Sequence, residues 1–143
     1  MRRIKFVLTF LLWAGVLVAQ EQKPAFWEDI QDFKKADSAA PPPKNAILFI
    51  GSSSFTMWQD VQEYFPEYKI INRGFGGSTL LDQLRYINDI VVPYKPKQVI
   101  IYCGENDLAS SDTVDGKDVA RRFQRLVTLI RNKIPKAQVS YIS

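Results

Sequence analysis

The chain has 143 residues, enough for one domain, and 46% of them are hydrophobic and 24% charged, which excludes a low-complexity or disordered polypeptide. The formal net charge is +4, but three of the 19 basic residues lie within the first five positions. The remaining 16 basic residues are nearly balanced by 15 acidic ones. Such a near-neutral body offers no electrostatic basis for binding nucleic acid or an anionic membrane. The single cysteine, Cys103, lies in an apolar run, so we expect a buried core residue and no internal disulfide.

The N-terminus has the pattern of an export signal. Arg2, Arg3 and Lys5 precede the apolar run 6–18, and Ala19 offers a small residue for cleavage. The apolar run is shorter than the ~20 residues that cross a bilayer, so residues 1–19 are predicted to be a signal peptide, with no stable membrane span. A leucine three positions before the cleavage point is a poor match to such sites, which leaves an uncleaved N-terminal anchor as the alternative. The rest of the chain is predicted to be secreted or periplasmic.

Residues 20–43 are predicted to form an N-terminal helix and a proline-rich linker. Phe26, Ile30 and Phe33 recur at helical spacing, and three consecutive prolines at 41–43 stop any helix. We expect this helix to pack on the outside of the domain that follows.

Residues 44–143 alternate short apolar runs with helical patterns. Such alternation predicts βαβ units and a parallel sheet between helices, that is, a three-layer α/β fold. Because the last strand has no covering helix after it, we expect this domain to be incomplete at its C-terminus. Strands are predicted over 46–50, 68–71, 98–103 and 137–142, and helices over 55–64, 78–91 and from 115 or 116 to about 130.

The first three predicted strands each end in a loop that could take part in chemistry. These loops are Gly-Ser-Ser-Ser at 51–54, Gly-Phe-Gly-Gly-Ser at 74–78 and Gly-Glu-Asn-Asp at 104–107. Loops at the carboxyl ends of neighbouring parallel strands meet at one edge of the sheet. There Ser53 could attack a carbonyl carbon while glycine N–H groups and the Asn106 amide stabilise the oxyanion. Each loop alone is typical of an ordinary turn or cap, but the three in order favour acyl transfer.

The first two loops resemble sequence blocks of the SGNH (GDSL-like) hydrolases. Residues 49–53 are similar to the first block, whose serine is the nucleophile, and the resemblance gives that role to Ser53. Residues 72–79 are similar to the second block, whose glycine N–H helps to form the oxyanion hole. Gly77 stands at the matching position, with Gly76 as the near alternative.

The third loop is similar to the family's Gly-x-Asn-Asp block, which makes Asn106 the side-chain donor of the oxyanion hole. The resemblance, which covers about the last hundred residues, implies a flavodoxin-like fold and hydrolysis of carboxylic esters through an acyl-enzyme. It implies no metal and no cofactor. With export, the expected substrates are small-molecule or polysaccharide esters, such as acetylated carbohydrate or lysophospholipid-like compounds.

Two departures from the family pattern limit this interpretation. Ser52 stands where the family has aspartate, and we expect Ser52 and Ser54 to serve only as turn and capping residues. The family's Asp-x-x-His block, which supplies the general base, is missing, and the 143 residues contain no histidine. A serine without a base keeps only residual activity, so this chain by itself is expected to be inactive.

The alternative is a non-catalytic module that uses the same strand-end loops to bind a sugar or an anion through backbone N–H groups. A flavin-binding protein of the flavodoxin type is the weakest interpretation, because only the short serine run could bind phosphate after the first strand.

Overall fold

The computed structural model describes residues 22–142, so the predicted signal peptide, residues 1–19, lies outside the described residues. Within this part of the chain, no helix is both long enough and apolar enough to cross a membrane. The elements in chain order are α1 (Trp27–Ala39), β1 (Ile47–Gly51), α2 (Ser53–Met57), α3 (Val61–Tyr64), β2 (Ile70–Gly74), α4 (Leu80–Arg85), α5 (Ile87–Ile90), the helical turn Val92–Tyr94, β3 (Gln98–Tyr102), α6 (Glu105–Ala109), α7 (Gly116–Lys133) and β4 (Gln138–Tyr141).

The strands form one parallel sheet of four, in the order β2-β1-β3-β4. Side chains alternate between the two faces of a strand, and both faces of the central strand β1 are covered by helices. Leu48 and Ile50 therefore lie in one core, whereas Phe49 packs with Phe55 and Val61 in a second one. The predicted three-layer α/β class is confirmed.

The larger core receives apolar side chains from α1, α4, α5 and α7. Ile30, Leu80, Leu126 and Ile130 are all at most 1% exposed, and burial of an aliphatic side chain of this size contributes about 1.5–3 kcal/mol. Helix α1 thus belongs to the packed body. The boundary between the predicted segments 20–43 and 44–143 stays a prediction.

The helix predicted over residues 55–64 is two short helices, α2 and α3, and Asn72 of β2 explains the interruption. Its side-chain amide donates to the carbonyl oxygens of Phe55, at 2.7 Å, and Trp58, at 3.1 Å. These carbonyls lie at the end of α2, where a continuing helix would supply their donors itself.

The helix predicted to start at Ser78 starts instead at Leu80, with Thr79 as its N-cap. The Thr79 hydroxyl accepts from the Asp82 N–H at 3.4 Å, and the Asp82 carboxylate accepts from the Thr79 N–H at 3.0 Å, which is a capping box. Ser78 is fully buried, and its hydroxyl donates to the Gly51 carbonyl at 3.3 Å. The prediction that Ser78 is the cap is therefore wrong, because tertiary contacts occupy its side chain.

Candidate active site

The sheet order brings the three candidate loops together at one edge. The strands β2, β1 and β3 are direct neighbours, and Gly51 at the end of β1 pairs with Gly74 on one side and Tyr102 on the other. The loops at 51–54, 74–78 and 104–107 therefore lie side by side.

In the first loop, β1 and β3 approach each other closely at Gly51, two residues before Ser53. Gly51 has φ +150°, and a Cβ atom on it would lie 1.9 Å from the Tyr102 carbonyl oxygen, so only glycine fits. Ser53 follows as the first residue of α2 and is exposed. Among residues 22–142, neither its hydroxyl nor its backbone N–H has a hydrogen-bond partner, as expected for an N–H in the first turn of a helix.

In the second loop, Gly76 lies beside the candidate nucleophile Ser53, whereas Gly77 lies next to Phe26. A Cβ atom on Gly76 would lie 3.9 Å from Cα and Cβ of Ser53, so this residue passes directly beside the candidate nucleophile. Gly77 has φ +82°, a left-handed conformation that favours glycine, and its nearest neighbour is the ring of Phe26 at 4.0 Å from such a Cβ. Within the described part of the chain, the N–H groups of both glycines donate no hydrogen bond.

The third loop reaches the other two through Asn106. Its side-chain nitrogen donates to the Ser52 hydroxyl oxygen at 2.7 Å and to the Ser78 carbonyl oxygen at 3.0 Å. A carbonyl can only accept, so the amide nitrogen is the atom that faces Ser78. Both amide hydrogens are thus engaged, and Asn106 can donate to a substrate oxyanion only if it releases or shares one of them.

The prediction for Ser52 needs correction. Ser52 occupies the N-cap position of α2, but its side chain makes no capping hydrogen bond. The side chain is 4% exposed and its oxygen instead accepts from Asn106. Sequence reasoning missed this role because the partner lies more than fifty residues away in the chain.

Asp107, the last residue of the third block, has a structural role that the sequence did not reveal. It is fully buried, and one carboxylate oxygen accepts from the Leu80 N–H at 2.8 Å while the other accepts from Arg122 at 2.7 Å. The ion pair compensates for the burial of the charge. The third loop is thereby attached to the start of α4 and to α7.

Cys103 is buried, as predicted, and is not available as a nucleophile. Burial, with the negative charge of Asp107 adding to it, raises the pKa of the Cys103 thiol to about 12. The thiol therefore stays protonated near neutral pH, and its sulfur donates to the Ser78 carbonyl oxygen at 3.6 Å.

No family profile and no curated protein matches the chain. Solved structures do match it. A GDSL-like lipase from Bacteroides thetaiotaomicron has 20% identity over 78% of this chain and 56% of its own, with a TM-score of 0.66. An acetylxylan esterase from Geobacillus stearothermophilus has 18% identity over 68% and 59%, with a TM-score of 0.51. The acetyl xylan esterase AlAXEase has 22% identity over 66% and 56%, with a TM-score of 0.52.

The chain thus spans less than two thirds of the length of each of these structures. At sequence identities of 18–22%, the structural similarity establishes the fold alone. Two of the matching structures are described as GDSL-like lipases, and a third as a lipolytic protein of the G-D-S-L family. The chain has the fold of the GDSL-like (SGNH) hydrolases.

Proposed function

We propose that the protein is a serine esterase of the SGNH type, which hydrolyses carboxylic esters through an acyl-enzyme. The observation that carries this proposal is a pair of hydrogen bonds: the Asn106 amide contacts residues of both other loops at the sheet edge. An exposed serine, free backbone N–H groups and a side-chain amide are the groups that acyl transfer requires.

In this mechanism the Ser53 oxygen attacks the ester carbonyl carbon and its proton passes to a general base. The negative charge that develops on the carbonyl oxygen is stabilised by the N–H groups of Ser53 and Gly77 and by the Asn106 amide. The alcohol leaves with a proton, and a water molecule then cleaves the acyl-serine ester to release the carboxylic acid. None of these steps needs a metal.

Histidine, the usual general base beside a serine nucleophile, is absent from the 143 residues, and we propose that a segment outside them supplies it. Loss of a triad member leaves a small residual activity, orders of magnitude below that of an intact site. We therefore expect the isolated chain to be a very poor esterase, and we expect the reading frame beyond Ser143 to encode an Asp-x-x-His segment. Sequencing that frame tests this expectation, and a stop codon directly after Ser143 would contradict it.

The nucleophile is tested by substituting two neighbouring serines in the protein expressed from its full reading frame. Ser53→Ala should lower the hydrolysis of p-nitrophenyl acetate at least about a thousandfold, because the attacking oxygen is removed. Ser54→Ala is the matched control, since Ser54 is also exposed and lies in the same helix. Undiminished hydrolysis by Ser53→Ala would remove Ser53 from the mechanism.

For the substrate we propose an acetylated carbohydrate or a lysophospholipid-like ester. The first is supported by the acetylxylan esterases among the similar structures. Release of acetate from acetylated xylan, compared with release of fatty acid from lysophosphatidylcholine, distinguishes the two classes. Activity on neither would contradict both.

We also infer that the protein is exported, with residues 1–19 removed. The basic start and the apolar run of the N-terminus support this inference. Mass spectrometry of the protein from the cell envelope or culture medium should give Gln20 as the first residue. A mature form that keeps residues 1–19 would indicate the N-terminal anchor instead.

A further inference from the structure

A glutamine side chain lies buried beneath the candidate active site. Gln83 of α4 is 0% exposed. Its side-chain nitrogen donates to the Gly51 carbonyl oxygen at 3.2 Å and to the Ser78 hydroxyl oxygen at 2.9 Å. Its side-chain oxygen has no hydrogen-bond partner among the described residues.

An apolar side chain would be the simpler solution for this position if it only had to fill the core. Leu80 and Ile87, on the same side of the helical segment, are apolar and fully or almost fully buried. A buried polar atom without a partner lowers stability, and methionine would avoid this cost at nearly the same volume. The two hydrogen bonds that Gln83 donates therefore need an explanation beyond packing.

Both of these hydrogen bonds end on the loops that bear the proposed catalytic groups. Gly51 lies two residues before Ser53, and its carbonyl oxygen also accepts from the Phe75 N–H at 3.0 Å and from the Ser78 hydroxyl at 3.3 Å. Ser78 directly follows Gly77. The first and second loops are thus joined at the Gly51 carbonyl oxygen, and Gln83 donates hydrogen bonds to a residue of each loop.

The same junction extends to the third loop. The carbonyl of Ser78 accepts from the Asn106 amide at 3.0 Å, so a shift of Ser78 would move an acceptor that orients Asn106. The three groups assigned to the oxyanion hole are therefore linked to Gln83 indirectly, through Gly51 or Ser78. A misplacement of such groups by about 1 Å can cost two orders of magnitude in rate.

We propose that Gln83 is a positioning residue, which sets the distance between the Ser53 loop and the Gly77 loop so that their N–H groups converge on one oxyanion. This inference rests on the proposed function, because it concerns the geometry of the same site. Gln83 itself does not touch the substrate.

The test compares two glutamines in the protein expressed from its full reading frame. Gln83→Met should lower kcat on p-nitrophenyl acetate about 10- to 100-fold and leave KM within about twofold, because the donors are misaligned while the substrate still binds. Gln62→Met is the matched control. Gln62 also bonds backbone groups, donating to the carbonyls of Phe65 and Tyr68 at 3.1 and 2.8 Å, but it lies away from the site and should keep both constants.

Hydrogen exchange gives a readout that does not depend on activity. In Gln83→Met the Phe75 N–H should exchange at least about tenfold faster relative to amides at the centre of the sheet, because its acceptor at Gly51 is no longer held. Unchanged kcat, or unchanged protection of Phe75, would overturn the proposal. If Ser53→Ala keeps full activity, the proposed function fails, and the exchange of Phe75 still decides whether Gln83 couples the loops.

Discussion

At the scale of single residues, the state of Asn106 determines how the candidate site can work. One amide hydrogen is engaged with the Ser78 carbonyl, which belongs to a buried residue, and the other with the Ser52 hydroxyl. The Ser52 acceptor is a side-chain oxygen that can move by rotation about the Cα–Cβ bond, whereas the Ser78 acceptor is a backbone oxygen, so the bond to Ser52 is the one that can be shared with a substrate. We therefore interpret Ser52 as the residue that orients Asn106 before the substrate arrives.

This interpretation predicts different outcomes for two substitutions of Ser52. Ser52→Ala should lower kcat about five- to tenfold, because a hydrogen bond between neutral groups contributes about 1 kcal/mol. Ser52→Asp retains an acceptor and should keep most of the activity. Steady-state hydrolysis of p-nitrophenyl acetate measures both. The interpretation fails if Ser52→Ala is fully active or if Ser52→Asp is as impaired as Ser52→Ala.

Residue identities could be predicted where their roles follow from the order of the chain. Ser53, Gly77 and Asn106 stand at the ends of three successive strands, and the structure brings these three ends together, although their catalytic roles stay predictions. The contacts of Ser52, Gln83 and the Asp107–Arg122 pair could not be predicted, because each depends on a partner from another element.

At the scale of the elements, the start of α7 could be predicted from local signals, whereas the start of α4 and the break between α2 and α3 could not. Asp115 caps α7 through bonds to the N–H groups of Lys117 and Asp118, and all three residues lie within one stretch of four positions. The break between α2 and α3 depends instead on Asn72, which comes from the next strand. A periodic pattern carries no information about such a competing donor.

Helix α1 is attached to the sheet by a polar cluster that its amphipathic pattern did not reveal. Arg73 of β2 forms an ion pair with Asp37 of α1 and lies over the rings of Phe33 and Tyr94, at 5.1 and 4.9 Å from their centroids. The Tyr94 hydroxyl donates to Asp37 at 2.6 Å. The arginine thus combines an ion pair with two cation–π contacts, and the sequence reveals only the Phe33 part of this attachment.

At the scale of the whole molecule, the two faces of the sheet are covered unequally in the described part of the chain. The face with Leu48 and Ile50 lies under four helices, whereas α2 and α3 cover the face with Phe49. Ile100 and Tyr102 on that second face are only half-buried. The alternation of strands and helices predicted the parallel sheet, but it could not predict this asymmetry. The face of the sheet on which a helix packs depends on the direction in which its crossover moves along the sheet, and the alternation alone does not give that direction.

The buried hydroxyl and thiol groups predict that the folded molecule loses stability at alkaline pH. Burial, together with the hydrogen bond to Asp37, raises the pKa of Tyr94 from 10.0 to about 12, and burial raises the pKa of Cys103 from 9.0 to about 12. The unfolded chain releases these protons at lower pH than the folded one does. The free energy of unfolding should therefore be insensitive to these groups below about pH 9 and fall as the pH rises toward 12.

Urea unfolding from about pH 8 to about pH 11 measures this loss of stability. Tyr94→Phe removes one of the titrating groups, so its free energy of unfolding should fall less steeply above about pH 10, even though the lost hydrogen bond to Asp37 lowers its stability near neutral pH. Tyr68→Phe is the control, because it removes the hydroxyl of a tyrosine that is 50% exposed. Equal slopes for the two variants would mean that the Tyr94 hydroxyl keeps an ordinary pKa, and that the cluster around Arg73 does not shield it from water.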